Sequence, residues 1–422
     1  MAHAVVIGAS IAGLSAAQAL ATKFEQITVL ERDSLPAEIT PRKGVPQGNH
    51  IHILLAAGQK ALGELFEGIE DDLTEGGAIQ IEPGADMAIF RFGSVWPKAS
   101  VGLTILSFSR PLLDAVIRRR VAQLSNVEIR QGVAVSGLVG SGEGVKGVKL
   151  DGGETIGTDL VVDASGRGSR SDRWLGELGF PAPETVEVKI GVGYTSRILK
   201  RGQGFLPEGM GVYVLPTAPD KRAGVVLPIE DDRWLVSLGG WHGDYPRDEE
   251  SMVAFAASLP HPRIHELLTT AEPIGDLHTR SFPSSKRRYF EKLDRVPEGY
   301  VATGDSVCSF NPIYGQGMSV AAFDALALRE TTDPKEFYRR VAANLKVPWR
   351  FAVGGDFAFP ETTGPKPRGI GLLNGYSRRL QLASKDDPEV RRAFTAVQHL
   401  VEPPSALFTP SIMLRVLRPR KP

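Results

Sequence analysis

The 422-residue sequence predicts an α/β protein with a parallel sheet flanked by helices, a second, mostly antiparallel sheet and a helical C-terminal segment. Three observations carry this prediction. An apolar tetrapeptide at the start runs directly into a glycine turn and an alanine-rich stretch, the pattern of a buried strand feeding a helix. From Val186 to Leu238 short apolar stretches alternate with Gly/Pro turns. After Thr331 helical periodicity dominates, with proline breaks expected at Pro348, Pro360, Pro365 and Pro367.

In chain order, Ala4 to Ile7 reads as a strand, Gly8 to Gly13 as the turn, Leu14 to Thr22 as a helix and Ile27 to Leu30 as the second strand. Arg42 to His52 is rich in Gly, Pro and Gln and reads as loop, followed by a helix over Ile53 to Phe66. Pro111 to Leu124 is an amphipathic helix, with proline in its first turn and arginines towards its end. Val127 to Val139 alternates up to the turn Gly140–Gly144, and Val145 to Leu150 returns to a turn at Asp151–Gly153. Leu160 to Val162 heads back to a buried sheet. A helix near Ser251 to Ser258, a strand at Val301 to Thr303 and a helix over Gly317 to Glu330 complete the pattern.

Bulk properties exclude several function classes. Forty-nine Lys plus Arg balance forty-nine Asp plus Glu, so no electrostatic case exists for nucleic acid as a partner. Cys308 is the sole cysteine, which rules out an intrachain disulfide and is compatible with a reducing compartment. The first apolar stretch is cut short by glycine and does not read as a signal peptide, and no run is long enough to span a bilayer. A cytoplasmic protein without an integral membrane segment is expected.

The turn Gly8-Ala9-Ser10-Ile11-Ala12-Gly13 lies between a strand and a helix. Gly8 permits the tight turn and Gly13 a close helix–strand approach, while Ser10 stands where the usual fingerprint has a glycine. The helix N-terminus then offers free N–H groups to a pyrophosphate. Glu31 closes the second strand at the distance expected of a carboxylate that binds a ribose hydroxyl. Together these features point to a Rossmann-like dinucleotide site.

Two further motifs select the dinucleotide. Asp159-Leu160-Val161-Val162-Asp163-Ala164-Ser165-Gly166-Arg167 resembles the Asp-Gly segment of flavin monooxygenases, except that Ala164 follows Asp163. Val301-Ala302-Thr303-Gly304-Asp305-Ser306 followed by Asn311-Pro312-Ile313-Tyr314-Gly315-Gln316-Gly317-Met318 resembles the Gly-Asp and Pro-x-x-Gly-x-Gly-Met segments of the same enzymes. From Ala4 to about Glu330 the chain resembles the single-component FAD-dependent monooxygenases, the aromatic hydroxylase and squalene epoxidase superfamily. The stretches Pro41–His52, Asp232–Gly240 and Val307–Pro312 are most similar to actinobacterial epoxidases of polyether and terpenoid precursors.

That resemblance implies FAD as cofactor, NADPH or NADH as transient reductant, and O2 as co-substrate. It implies that a flavin C4a-hydroperoxide epoxidises or hydroxylates an apolar polyene, terpenoid or aromatic polyketide intermediate of secondary metabolism. Most of that chemistry belongs to the cofactor, so no dedicated catalytic residue is assigned. Glu31 and its neighbour Arg32 would lie at the adenosine, Arg110 at the pyrophosphate or ribityl chain, and Asp163 within the second motif. Gly304 and Asp305 would hold the ribityl hydroxyls, with Pro312, Gly315, Gly317 and Met318 at the flavin ring. Arg42 and Gln47 would fold over the flavin, a solvated loop being the competing reading.

By the same resemblance, residues 1–84, 102–174 and 280–332 form a discontinuous FAD-binding domain. Residues 85–101 and 175–279 form the substrate sheet and 333–422 the C-terminal segment. Phe90, Phe92, Trp96, Tyr194, Tyr213 and Trp234 are candidates for the substrate wall, although alternation lets only half of them face a cavity. His50 and His52 lack further metal ligands, His261 and His265 read as a surface helix, and Cys308 as a small buried residue. No metal site is expected. The apolar Leu400–Leu417 tail, then basic at Arg418, Arg420 and Lys421, could cover the pocket, lie on a membrane or simply pack. A flavin-dependent prenyl double-bond reductase and a flavin-free lipid carrier share the fold and stay open as alternatives. The Trp-x-Trp-x-Ile-Pro segment of flavin halogenases is missing. NADH versus NADPH and oligomeric state are not legible.

Overall fold

A computed structural model describes residues 2–202 and 209–418, so Arg420 and Lys421 lie outside the described residues. Its first sheet has five parallel strands in the order Tyr300–Ala302, Leu160–Asp163, His3–Ile7, Gln26–Glu31 and Val127–Gln131. These strands read as unbroken apolar runs because both faces are covered. Val5, Val6, Val161, Val162 and Val301 are fully buried. Helices Ile11–Leu20, Arg110–Ala122, Gly317–Glu330 and Pro334–Asp356 share one core with the sheet.

The second sheet has eight strands: Cys308–Ser309, Pro273–Arg288, Thr185–Lys200, Arg233–Gly240, Arg222–Ile229, Gly211–Val214, Met87–Arg91 and Ser94–Val95. All neighbours are antiparallel except Gly211–Val214 beside Met87–Arg91. The protein thus has the Rossmann-like α/β fold with a mostly antiparallel second sheet and C-terminal helices. Two strands are longer than the short ones expected, at 16 residues each. Bulges at Lys189/Val192 and Ser196/Ile198 bend the pair, so one ribbon serves both the second sheet and the approach to the first. The expected boundary at residue 279/280 falls inside this ribbon.

Three further expectations shift, each for a physical reason. Val127–Val139 is not one strand. Gly132, at φ +72°, turns the chain, so Val127–Gln131 joins the parallel sheet while Val135–Ser141 pairs with Gly144–Leu150 in a small three-stranded sheet. The helix expected from Ile53 begins at Ala56. Ile53 and buried Leu54 stay extended, and the Ile53 carbonyl lies against Gly315. Pro348 does not break its helix, which runs Pro334–Asp356. Burial of Phe337, Val341, Leu345, Trp349 and Val353 offsets the lost hydrogen bond.

Alternation gives the second sheet two different faces. Ala88, Phe90, Val212, Val214, Val226, Trp234 and Val236 pack under helices Glu249–Ser258 and Arg263–Thr270. On the opposite face Met87, Ile89, Tyr213, Val225 and Leu227 meet Ile51, Ile53, Ile81 and Ile105. This inner face looks towards the first sheet and forms one wall of the site described next.

Candidate functional site

Four turns converge at the C-terminal ends of the parallel strands, where open α/β sheets bind ligands. The first is Gly8–Gly13. Gly8 has φ +103°, and a Cβ there would lie 2.7 Å from the Ala164 carbonyl oxygen. The following helix has no side-chain cap at Ser10, so its first N–H groups stay open to an anion. Arg110 Nη2 donates to Ser10 Oγ at 2.9 Å while its Nε holds Asp114 at 2.9 Å.

Glu31 ends the second strand. Its Oε2 accepts from the Ala9 amide at 2.9 Å and its Oε1 from the Asp33 amide at 3.0 Å. Arg42 Nη1 stands 3.0 Å from both Glu31 and Asp33, and Nη2 donates to the Ala9 carbonyl at 3.2 Å. The Arg42 loop is therefore tied to the glycine turn rather than free in solvent. Arg32 is exposed, and Gln47 sits in the turn Pro46–Asn49.

Asp163 is fully buried and its oxygens are already used. They accept from the Ser165 amide at 2.9 Å, Ser169 Oγ at 2.6 Å and the Tyr300 hydroxyl at 2.9 Å. Its side chain fixes the turn after its strand and leaves Arg167 to reach outward. Arg167 donates to Ser309 at 2.5 Å and Ser284 at 2.6 Å. Asp305 is half-buried. Burial raises its pKa, and the guanidiniums of Arg110 and Arg167 pull it back. Gly304 takes φ +59°, and a Cβ there would come 2.8 Å from Ala12 Cβ, so this turn rests against the first helix. The Gly304 amide donates to buried Asp324 at 3.3 Å.

The Asn311–Gln316 loop closes the site. Gly315 has φ +67° and Gly317 opens a helix without a side-chain cap. Met318 is buried, Pro312 exposed, and the Oε1 of buried Gln316 has no partner. The loop is anchored from below by Asp356, whose Oδ1 accepts from Asn311 Nδ2 at 2.7 Å, Trp241 Nε1 at 3.1 Å and the Tyr314 hydroxyl at 3.2 Å. Burial pushes the Asp356 pKa up to about 6 and that of Asp324 to about 7.

The inner face of the second sheet stands across from this loop. Of the candidate wall residues, Tyr213 lies on that face and Phe90 and Trp234 on the other. Tyr194 also lies on the inner side, edge-on to the His50 ring at 4.6 Å. Phe92 occupies a tight turn with φ +51°, and buried Trp96 lies under Arg391 at 5.4 Å. His50 Nδ1 pairs with Ser196 Oγ at 2.7 Å, and His52 Nδ1 with the His50 carbonyl at 2.9 Å. Burial, helped by neighbouring positive charge, lowers both pKa values to about 3, which keeps the rings neutral. Among the described residues no group of three His, Cys, Asp or Glu could hold a metal. Cys308 is buried in an edge strand, and burial raises its thiol pKa far above the ordinary value. His265 lies on the helix Arg263–Thr270, and His261 just precedes it, 5.6 Å from the Phe90 ring.

The residues present fit a flavin dinucleotide. Two uncapped helix N-termini, the Gly8 and Gly304 turns where a Cβ would crowd its neighbour, and an unpartnered acceptor on Gln316 are the features that fit it. Sequence reasoning missed two of the groups that shape the site. Arg167 was signalled by its place in the second motif. Tyr213 and Tyr194 were among the six wall candidates, and only the register selects them from that set. Asp356 lies 45 residues beyond Asn311, and nothing in the sequence links them.

Comparison with known proteins agrees with this geometry. The profile of a family described as "FAD binding domain" matches residues 1–331. Protein Rv3254 of Mycobacterium tuberculosis is 36% identical over 395 residues, spanning 87% of this chain and 82% of its own length. A flavoprotein/dehydrogenase from Cytophaga hutchinsonii superposes with a TM-score of 0.70 at 18% identity, over 96% of this chain and 95% of that one. The 2-methyl-3-hydroxypyridine-5-carboxylic acid oxygenase gives 0.61 at 19% identity, over 99% and 96%. No described helix is long and apolar enough to cross a membrane.

Proposed function

The chain belongs to the FAD-binding-domain family, and from that premise we propose that it is a FAD-dependent monooxygenase that oxidises an organic molecule carrying a largely apolar body. The observation that carries the reading is the neighbourhood of two surfaces. The uncapped N-terminus of helix Gly317–Glu330 follows Gly315, which lies against Ile53, and Ile53 packs on the apolar inner face of the second sheet. Bound there, FAD reduced by NADH or NADPH would supply the electrons that activate O2.

The protein's own part is positioning and exclusion of water. Glu31, with Arg42 behind it, holds the adenosine end, and the N-terminus of helix Ile11–Leu20 with Arg110 meets the pyrophosphate. Asp305, kept between Arg110 and Arg167, accepts from the ribityl hydroxyls. The open amides after Gln316 face the ring and favour negative charge on it. Ile89, Tyr213, Val225 and Leu227 keep the oxidation site dry and orient the substrate. Epoxidation of an alkene and hydroxylation of an aromatic ring are both compatible with this arrangement.

An anaerobic spectrum tests the reading. The purified protein is expected to show bands of oxidised flavin that bleach with NADPH or NADH and return with air, with O2 consumed in step. A protein that is colourless and takes up no added FAD would sink the proposal. A bound flavin that turns over without consuming O2 would instead point to a double-bond reductase.

A further inference from the structure

The inner face of the second sheet is apolar until its last hairpin, Met87–Arg91 with Ser94–Val95. Met87 and Ile89 point inward, so alternation puts Arg91 on the same face. Arg91 and Ser94 are register partners and so share that face. Both carry a buried polar atom with no partner: Nε of Arg91 and Oγ of Ser94. Arg91 also sits close enough to Tyr314, in the Asn311–Gln316 loop, for the two to influence one another electrostatically.

Several other covered arginines are paired within the protein. Arg110 has Asp114 and Ser10, Arg167 has Ser284 and Ser309, Arg287 has Glu291, and Arg288 has Asp172. Among the described residues Arg91 has no ion pair and no side-chain hydrogen bond. Its guanidinium lies over the Phe92 ring at 5.3 Å, which orients it without neutralising it. Burial lowers its pKa to about 10, opposed only by Tyr314. A guanidinium Nε shut off from water without an acceptor is costly, and beside an unpaired buried hydroxyl it forms an incomplete site.

We propose that Arg91 and Ser94 anchor a carboxylate of the substrate. The substrate is then an acid with an apolar body. Its carboxylate is held by the guanidinium and hydroxyl at the sheet edge, and its body runs along Ile89, Tyr213 and Val225 past the Asn311–Gln316 loop. Arg91 is a specificity-determining residue that never touches the reacting atoms. The inference rests on reading this face of the sheet as the substrate site.

Two experiments test it, each run on the protein as purified and again after flavin removal, so that loss of the flavin reading leaves them interpretable. Crystals soaked in sodium bromide should show an anomalous peak at hydrogen-bonding range of Arg91 Nε and Ser94 Oγ, absent in Arg91→Met. Bromide found at other sites but not here in the unaltered protein overturns the proposal. In solution, straight-chain acids from butanoate to dodecanoate are compared with the matching alcohols by calorimetry. At one length or more the acid should bind at least about tenfold tighter than its alcohol, and Arg91→Met should erase that difference. Acids and alcohols that bind alike at every length, or a preference that survives in Arg91→Met, would overturn it. Unchanged far-ultraviolet dichroism of Arg91→Met controls for folding.

Discussion

Replacing Asp356 by Asn should make the protein more sensitive to acid, although it keeps a buried acceptor in place. Three histidines lose basicity on folding: His50 and His52 to about 3 and His399 to about 4, all from 6.5 and chiefly by burial. For each, the unfolded chain binds a proton that the folded chain refuses, so stability falls as pH drops below 6.5. Asp324 and Asp356 act oppositely, with folded values of about 7 and 6 against 3.8. They keep protons that the unfolded chain releases, so their contribution to stability falls as pH rises through that interval. Between about pH 5 and 6 three protons are taken up on unfolding and two are given off, a net uptake of one. His242 is lowered and Asp305 raised, so those two oppose each other in sign. One proton corresponds to about 1.4 kcal/mol per pH unit. Asp356→Asn keeps an oxygen for Asn311, Trp241 and Tyr314 but removes one compensating proton, which raises the slope to about 2.7 kcal/mol per pH unit. Adding Asp324→Asn raises it to about 4. Urea unfolding followed by tryptophan fluorescence at several pH values in this window measures the slope. A slope in Asp356→Asn equal to or shallower than that of the unaltered protein would refute the assignment of a retained proton to this carboxyl.

Three further outcomes follow from the same geometry. Glu31→Ala removes the acceptor expected for the ribose and leaves the Ala9 and Asp33 amides unanswered, so FAD affinity should drop about 10- to 100-fold in titrations of flavin-stripped protein. Gly304→Ala forces φ +59° on a residue with a Cβ, which would sit 2.8 Å from Ala12 Cβ. It should lower stability by about 2–3 kcal/mol in urea unfolding, with FAD released earlier on heating. Asp356→Ala orphans three buried donors at about 1–3 kcal/mol each, so a net loss of about 3–5 kcal/mol is expected after relaxation, against a small loss for the asparagine variant at pH 8.

Much of this arrangement can be read from the chain alone because its causes are local. The strand His3–Ile7, the glycine turn and Glu31 lie within thirty-one residues, and each depends on its own backbone demands. The helix Gly317–Glu330 is announced by Gly315 and by Gly317, its first residue. What cannot be read is set by partners far away in sequence. Val127–Val139 reads as one alternating stretch, yet Gly132 sends its halves to different sheets. Pro348 looks like a break until tertiary burial holds the helix through it. Asp163 looks like a ligand-facing acid, but its lone pairs are spent on Ser165, Ser169 and Tyr300. Arg91 carries no signal in the sequence, and only the fold shows that its Nε is buried without a partner.

The tie at Asp356 bears on where the site ends. The family match stops at residue 331, and Asp356 lies in the helices beyond it. Yet this one carboxylate joins Asn311 and Tyr314 of the ring-facing loop to Trp241, which follows the last residue of a second-sheet strand. Trp241 in turn stacks on Phe359 at 4.6 Å. Three parts of the chain thus meet at a single buried group, and loop position, substrate wall and C-terminal helices cannot move independently. A relative that shares residues 1–331 but lacks an acceptor at this point must hold the loop by other contacts. The C-terminal segment thus bears on the proposed site through Asp356, whose hydrogen bond to Tyr314 helps fix where that ring stands.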